Sequence, residues 1–196
     1  SVPPLELLAH RTLWSFIFFF VVLGIIGQIK ELKTAIFSLN GQFRIILLAS
    51  VLIAINWFFF IFAIQTNQTT EASLGYFIMP LVTVVWGLII FRETLSVLQW
   101  FSVLLATMAV CILTFGLGVP PWIALILSFS FSIYAVLKKK LTISPIVSVT
   151  GEVLVLIPVG LLLLFYFHID GQGSFGSDWK ITSLLALSGP LTAAPL

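Results

Sequence analysis

The sequence predicts an all-α membrane protein, a polytopic bundle of helices. Three observations carry this: an apolar composition, a series of long hydrophobic segments, and positive charge that alternates between short loops. Of 196 residues, 60% are hydrophobic and 8% charged, and the mean hydropathy is +1.21, far outside the averages of soluble domains. A soluble fold needs polar faces on its helices, and most hydrophobic runs here have none. Lipid is the expected solvent.

Seven segments are each about long enough to cross ~30 Å of hydrocarbon as a helix. They lie near 8 to 28, 44 to 65, 73 to 91, 98 to 118, 121 to 137, 146 to 168 and 181 to 196. Transmembrane β-barrels show alternating segments of ~10 residues instead, whereas these runs are longer and continuous.

Orientation follows from the loops, because Lys and Arg concentrate on the cytoplasmic side. The first, third and fifth loops hold Lys30, Lys33 and Arg44, then Arg92, then Lys138, Lys139 and Lys140, so seven of nine cationic residues share one side. Arg11 and Lys180 remain for the other. The triple lysine at a helix end reads as a topological anchor rather than a phosphate or lipid patch. This topology starts the first segment outside, with neither an initiating methionine nor a signal pattern, so a preceding helix is expected. The final "ITSLLALSGPLTAAPL" lacks a polar flank, and truncation is expected there too.

Net charge +2 and a pI of 8.9 rest on too few cations to coat nucleic acid. Cys111 is the single cysteine, which excludes an intramolecular disulfide and a thiolate metal cluster. Its apolar surroundings in sequence assign it to packing.

Between the first two segments, Ile29, Leu32, Ile36 and Phe37 fall on roughly one helical face, with Lys30, Glu31 and Lys33 elsewhere, which predicts a short interfacial helix. The outside loop "HIDGQGSFGSDWK" is rich in Gly and Ser and reads as an irregular turn, a rim over an entrance.

Aligning "PLELLAHRTLW" from Pro4 with "PIVSVTGEVLV" from Pro145 places a proline at each helix start, where its missing N–H costs little. Arg11 and Glu152 both follow seven residues later, on helices entering from opposite faces, so the two charges are expected to approach one another in the interior. Glu152 lies about two turns into an apolar helix, where an ionised carboxylate is costly unless paired, hydrated or protonated. Two roles remain open for it: a solute or proton site, or a hydrogen-bonded carboxyl tying helices together. Arg11 is open between a functional charge and a side chain that snorkels outward. His10 beside it reads as interfacial.

Asn56, with Trp57 beside it in "AINWFFFIFAI", is placed between ligand contact and an interhelical hydrogen bond. Tyr76 and Trp86 are candidates to line a cavity or to pack. Pro80, Pro158, Pro190 and Pro195 interrupt apolar helices as kinks or as freed backbone beside a solute path. Thr69 or Thr70 is the predicted cap of the third segment, with Glu71 complementing the helix dipole. Arg92 and Glu93 are predicted to pair locally at its other end.

The stretches "ELLAHR", "NWFFFIFA", "EASLGYFIMPL", "FRETLSVLQW", "KKKL" and "LSGPLTAAPL", in this order, closely resemble the RarD subfamily of EamA-type drug/metabolite transporters. The resemblance covers essentially the whole chain and implies a fragment of a ten-helix transporter built from two inverted five-helix halves. Residues 1–118 are then helices two to five, and residues 119–196 are helices six, seven and the start of eight. It implies a permease of the bacterial inner membrane; the leading hypothesis is alternating-access movement of a small drug or metabolite, with the intramembrane Glu152 exchanging a proton for solute. No cofactor or metal is implied. The expected partners are the solute, the lipid bilayer and, in a homodimer, a second copy; nucleic acid is not one.

An enzyme is the rival class, but the sequence has no H-E-x-x-H pattern, no Cys and His pairing, and no paired intramembrane aspartates, since Asp170 and Asp178 both lie in the outside loop. A non-transporting sensor or structural subunit with a solute cavity is the alternative reading.

Overall fold

The computed structural model describes residues 2–37, 42–118, 121–171 and 173–193, apart from the side chain of Leu117. Within them the chain forms eight helices: α1 (Pro4–Ile26), α2 (Ile29–Phe37), α3 (Gln42–Gln65), α4 (Thr69–Ile90), α5 (Val97–Leu117), α6 (Trp122–Lys139), α7 (Pro145–Ile169) and α8 (Trp179–Ala193). Six of these, all but α2 and α8, are long and apolar enough to cross a membrane. Every predicted segment coincides with a helix, and the expected short helix between the first two is α2. Pro195 lies outside the described residues.

Local chemistry sets the ends. Pro4 and Pro145 occupy the first positions of α1 and α7, where no intrahelical donor is lost. Gly27 closes α1 at φ 74°, in the left-handed region, with its N–H reaching the carbonyls of Leu23 and Gly24. Ser96 opens α5 with a reciprocal capping box, in which Ser96 N–H donates to Gln99 Oε1 at 2.8 Å and Gln99 N–H to Ser96 Oγ at 3.4 Å.

The chain divides into two compact units, Ser1–Ala54 with Leu141–Leu196, and Ile55–Lys140. In the first, α1 packs against α7 and α8. Gly160 of α7 faces Ala9 near the start of α1, while Leu23 near the end of α1 clusters with Val147 near the start of α7. The two helices are therefore antiparallel. Leu32 and Ala35 of α2 and Ile46 of α3 complete that cluster. Phe37 is 82% exposed, unlike its expected partners Ile29, Leu32 and Ile36, because successive residues turn by about 100° and Phe37 leaves the face they share.

Gly189 of α8 lets that helix come close against α1. A Cβ there would come within 2.5 Å of the Trp14 backbone and still nearer to Ser15 N. Lipid tails are as apolar as leucine, so helices in a membrane associate through such small-residue approaches and through hydrogen bonds rather than by escaping water.

In the second unit α4 packs against α6 and more lightly against α5. Gly75 lets α4 approach closely, since a Cβ would lie 3.1 Å from Ala124 O and from Leu127 Cβ. Ala63, Ala72, Ile123 and Leu127 form one core cluster, and Leu74, Ile78 and Ala124 another. No part of the span of α5 is buried, and Cys111 on it is exposed. The packing role expected for Cys111 is thus corrected: an apolar run that water would force inward stays outward in a lipid-solvated helix.

Two further expectations are revised. The cap of α4 is Gln68, without a side-chain hydrogen bond, and neither Thr69 nor Thr70. The tight turn donates Gln68 N–H to Ala63 O at 2.7 Å and carries both threonines into the helix. Glu93 pairs with Lys139 at 2.7 Å rather than with Arg92. Arg92 has a positive φ of 51°, and the reversal there sends Glu93 to the end of α6, where the Lys139 ammonium also lies 4.1 Å from the Phe91 ring centre.

Candidate functional site

Glu152 is the single carboxylate of α7 and is 1% exposed. Ser148, one turn earlier on the same helix, donates its hydroxyl to Glu152 Oε1 at 2.7 Å. Gly151 turns its bare backbone toward Ile46 and Leu32, whose side-chain carbons would lie 3.4 and 3.7 Å from a Cβ. Arg11 stands partly buried on α1, the helix packed against α7. With a rise of about 1.5 Å per residue, the antiparallel register puts Arg11 and Glu152 at levels about 10 Å apart along the axes. The two candidates thus share one helix pair.

Asn56 is 4% exposed and donates from Nδ2 to Leu127 O at 2.9 Å and to Ser130 Oγ at 3.1 Å. Between α6 and α4, Ser132 Oγ donates to Met79 O, the carbonyl before Pro80, at 3.1 Å, and Thr83 Oγ1 lies 3.1 Å from Ser132 Oγ. A polar ladder therefore ties α4, α6 and the second part of α3. Trp57 is partly buried beside it. Tyr76 is 46% exposed and sets its ring edge against Phe60 at 5.9 Å. Trp86 is partly buried, with no hydrogen-bond partner for Nε1 among the described residues.

Sequence reasoning passed over Glu6. It is 1% exposed, and its carboxylate accepts Ser174 N–H at 2.6 Å and Ser174 Oγ–H at 2.9 Å, which fastens the loop between α7 and α8 to the first turn of α1. One turn on, His10 stacks on Phe175 of the same loop at 4.8 Å between ring centres. Around them lies a cavity of ≈ 430 Å³ lined by Glu6, His10, Leu13, Trp14, Leu161, Leu164, Phe165, His168, Gly173 and Phe175. The signal was available: Glu6 and His10 are four apart on one helical face, inside the stretch "ELLAHR". A second cavity of ≈ 430 Å³, between α4 and α5, is lined by Thr70, Ser73, Leu74, Phe77, Ile112, Leu113 and Gly116, and presents no ionisable group.

Residues 1–115 match the EamA-like transporter family. The chain belongs to that family. Within the EamA-like family its relatives are of the RarD kind, and the chain is a member of the RarD subfamily. It is 40% identical to the "Uncharacterized transporter YojE" of Bacillus subtilis (strain 168), over 100% of this chain and 66% of that protein. It is 37% identical to "Protein RarD" of Escherichia coli (strain K12), over the same shares. A "Chloramphenicol-sensitive protein RarD" of Pseudomonas aeruginosa is 26% identical over 96% of this chain and 64% of its own length. The chain thus spans about two thirds of the length of these curated EamA-like relatives. No solved structure matches it. With six apolar helices and relatives named as transporters, this EamA-like chain is part of a multi-pass bacterial membrane protein of the drug/metabolite transporter type.

Proposed function

We propose that the whole protein is a permease of the bacterial inner membrane that moves a small solute by alternating access. Its Lys- and Arg-rich loops are cytoplasmic. Residues 1–118 serve as helices two to five of the first inverted half, and residues 119–196 open the second. The end of the family match at residue 115, close to the end of α5, supports that division.

The observation that carries the reading is the burial of Glu152 inside an apolar helix. Evolution tolerates the cost of an intramembrane carboxylate mainly where it pairs, exchanges a proton or meets a solute. In this reading Glu152 exchanges the coupling proton, and Arg11 on the adjoining helix supplies the opposite charge when solute or proton leaves. Protonation and solute occupancy then compete for one state of the carrier, which is what couples them. Trp57 and Tyr76, both in the second compact unit, are candidate aromatic contacts for a solute there, and the amide of Asn56 ties the part of α3 that carries Trp57 to α6.

Flux through the complete protein in liposomes tests this, with and without a proton gradient. The solutes are amphipathic metabolites and antibiotics, with chloramphenicol included because of the name one relative carries. Glu152→Gln is expected to remove gradient-driven accumulation while leaving the protein folded. Undiminished proton-driven flux in that variant would end the role assigned to Glu152. Solute binding with no flux in the unmodified protein would favour a sensor.

A further inference from the structure

The cavity bounded by α1, α7 and the loop before α8 has a composition that the transport reading does not use. Among the described residues its wall holds one carboxylate, Glu6, and neither a lysine nor an arginine. Besides a second imidazole, His168, and Gly173, the rest is aromatic or aliphatic, with Trp14, Phe165 and the stacked pair of His10 and Phe175 supplying rings. His10 is 5% exposed, and its Nδ1 has no hydrogen-bond partner among the described residues.

A carboxylate set among aromatic faces is the arrangement that attracts an organic cation. Each ring presents the negative face of its quadrupole, and the desolvated surroundings raise the value of every such contact. Glu6 is already held by Ser174 N–H and Oγ–H. Those two donors are neutral, so they orient the carboxylate without cancelling its charge. A volume of ≈ 430 Å³ falls in the range of pockets that enclose small organic ligands. A hydrated metal ion is a poor fit to such a wall, and no cluster of three or more metal-ligating side chains occurs among the described residues.

We propose that this cavity is a binding site for an organic cation, a substituted ammonium with an apolar or aromatic body, whose charge lies against Glu6 and whose body lies against the stacked pair of His10 and Phe175 and against Trp14. Because Ser174 and Phe175 belong to the same loop, the loop that Glu6 fastens is also a wall of the site. The site is independent of Glu152 and of whether the protein transports.

The test is equilibrium binding to the purified full-length protein in detergent, without a gradient, at pH 8, where an ordinary imidazole is neutral. The probes are benzyltrimethylammonium and neopentylbenzene, its uncharged carbon isostere. The cation is expected to bind at least about tenfold more tightly than the isostere. Glu6→Gln, which keeps an acceptor for Ser174, is expected to abolish that preference, and Phe175→Leu to weaken the cation several-fold. Equal affinity for the two probes, or cation binding that survives both substitutions, overturns the proposal. If Glu6→Gln does not fold, Phe175→Leu and His10→Leu report on the stacked aromatic pair of the wall. Binding is read without flux, so a protein that fails to transport can still pass, and a working transporter can still fail.

Discussion

Glu71 in the first turn of α4 accepts the backbone N–H of Ile123, the second residue of α6, at 3.3 Å. Read along the chain, this carboxylate serves its own helix dipole; in space, it serves the open end of another helix. Glu31 does the same for Ser144 N–H at the start of α7, at 3.2 Å, and Glu6 for the loop entering α8. The first N–H groups of a helix have no partner within it, and in lipid no water supplies one. Glu71 and Glu31, on other elements, fill that need for α6 and α7, while Glu6 meets a loop N–H at Ser174.

Glu71→Ala is therefore expected to leave a buried donor unmet and to lower stability by about 1–3 kcal/mol. Glu71→Gln keeps a neutral acceptor and loses less. Thermal unfolding of the full-length protein in detergent, comparing the two variants, is the check; equal stability of both with the parent would remove the cross-helix role.

Gly189→Ala pushes a methyl group into the α1 backbone at Trp14 and Ser15. Backbone cannot swing aside as a side-chain tip can, so α1 and α8 must separate, with a loss of about 1–3 kcal/mol. Gly116→Ala in α5 is the control. Its Cβ meets nothing within 4 Å, and a gain of up to about 1 kcal/mol from helix propensity is expected. Melting temperatures that move in opposite directions support this assignment.

Asn56→Leu removes two hydrogen bonds to α6. Interhelical bonds in membranes average about 0.6 kcal/mol and reach about 1.7. A drop of about 1–2 kcal/mol in resistance to denaturing detergent is expected from the pair. Retained stability with lost solute binding would instead make Asn56 a ligand contact.

The pair of Glu93 and Lys139 is more than half exposed on both sides. Lys139→Ala is expected to cost under about 1 kcal/mol, and the difference should shrink as salt rises. A larger, salt-insensitive loss would point to the Phe91 ring as the stronger partner of Lys139.

The helices were legible because their signal is one-dimensional. Long apolar runs between charged or Gly- and Pro-marked turns place segments to within a few residues, as with α7, expected from 146 and beginning at Pro145. Glu152 was legible for the same reason, as a charge standing alone in a lipophilic window. The partners were not. Glu93 was assigned to its neighbour Arg92 and reaches Lys139, 46 residues away. Glu6 was overlooked because it lies at the edge of a segment, where acids are common, and only the return of the chain at Ser174 and Phe175 turns that edge into a cavity wall.

The sequence by itself determined the solvent and the helical class of this protein, because the cost of an unpaired backbone in lipid admits few structures, and its stretches from "ELLAHR" to "LSGPLTAAPL" carried the family. Tertiary structure decided which carboxylate holds which helix, where Gly75 and Gly189 let backbones meet, and that Glu6 and His10 face a cavity. Those relations join residues far apart in the chain. Hydropathy sums over neighbours in sequence and carries no term for neighbours in space.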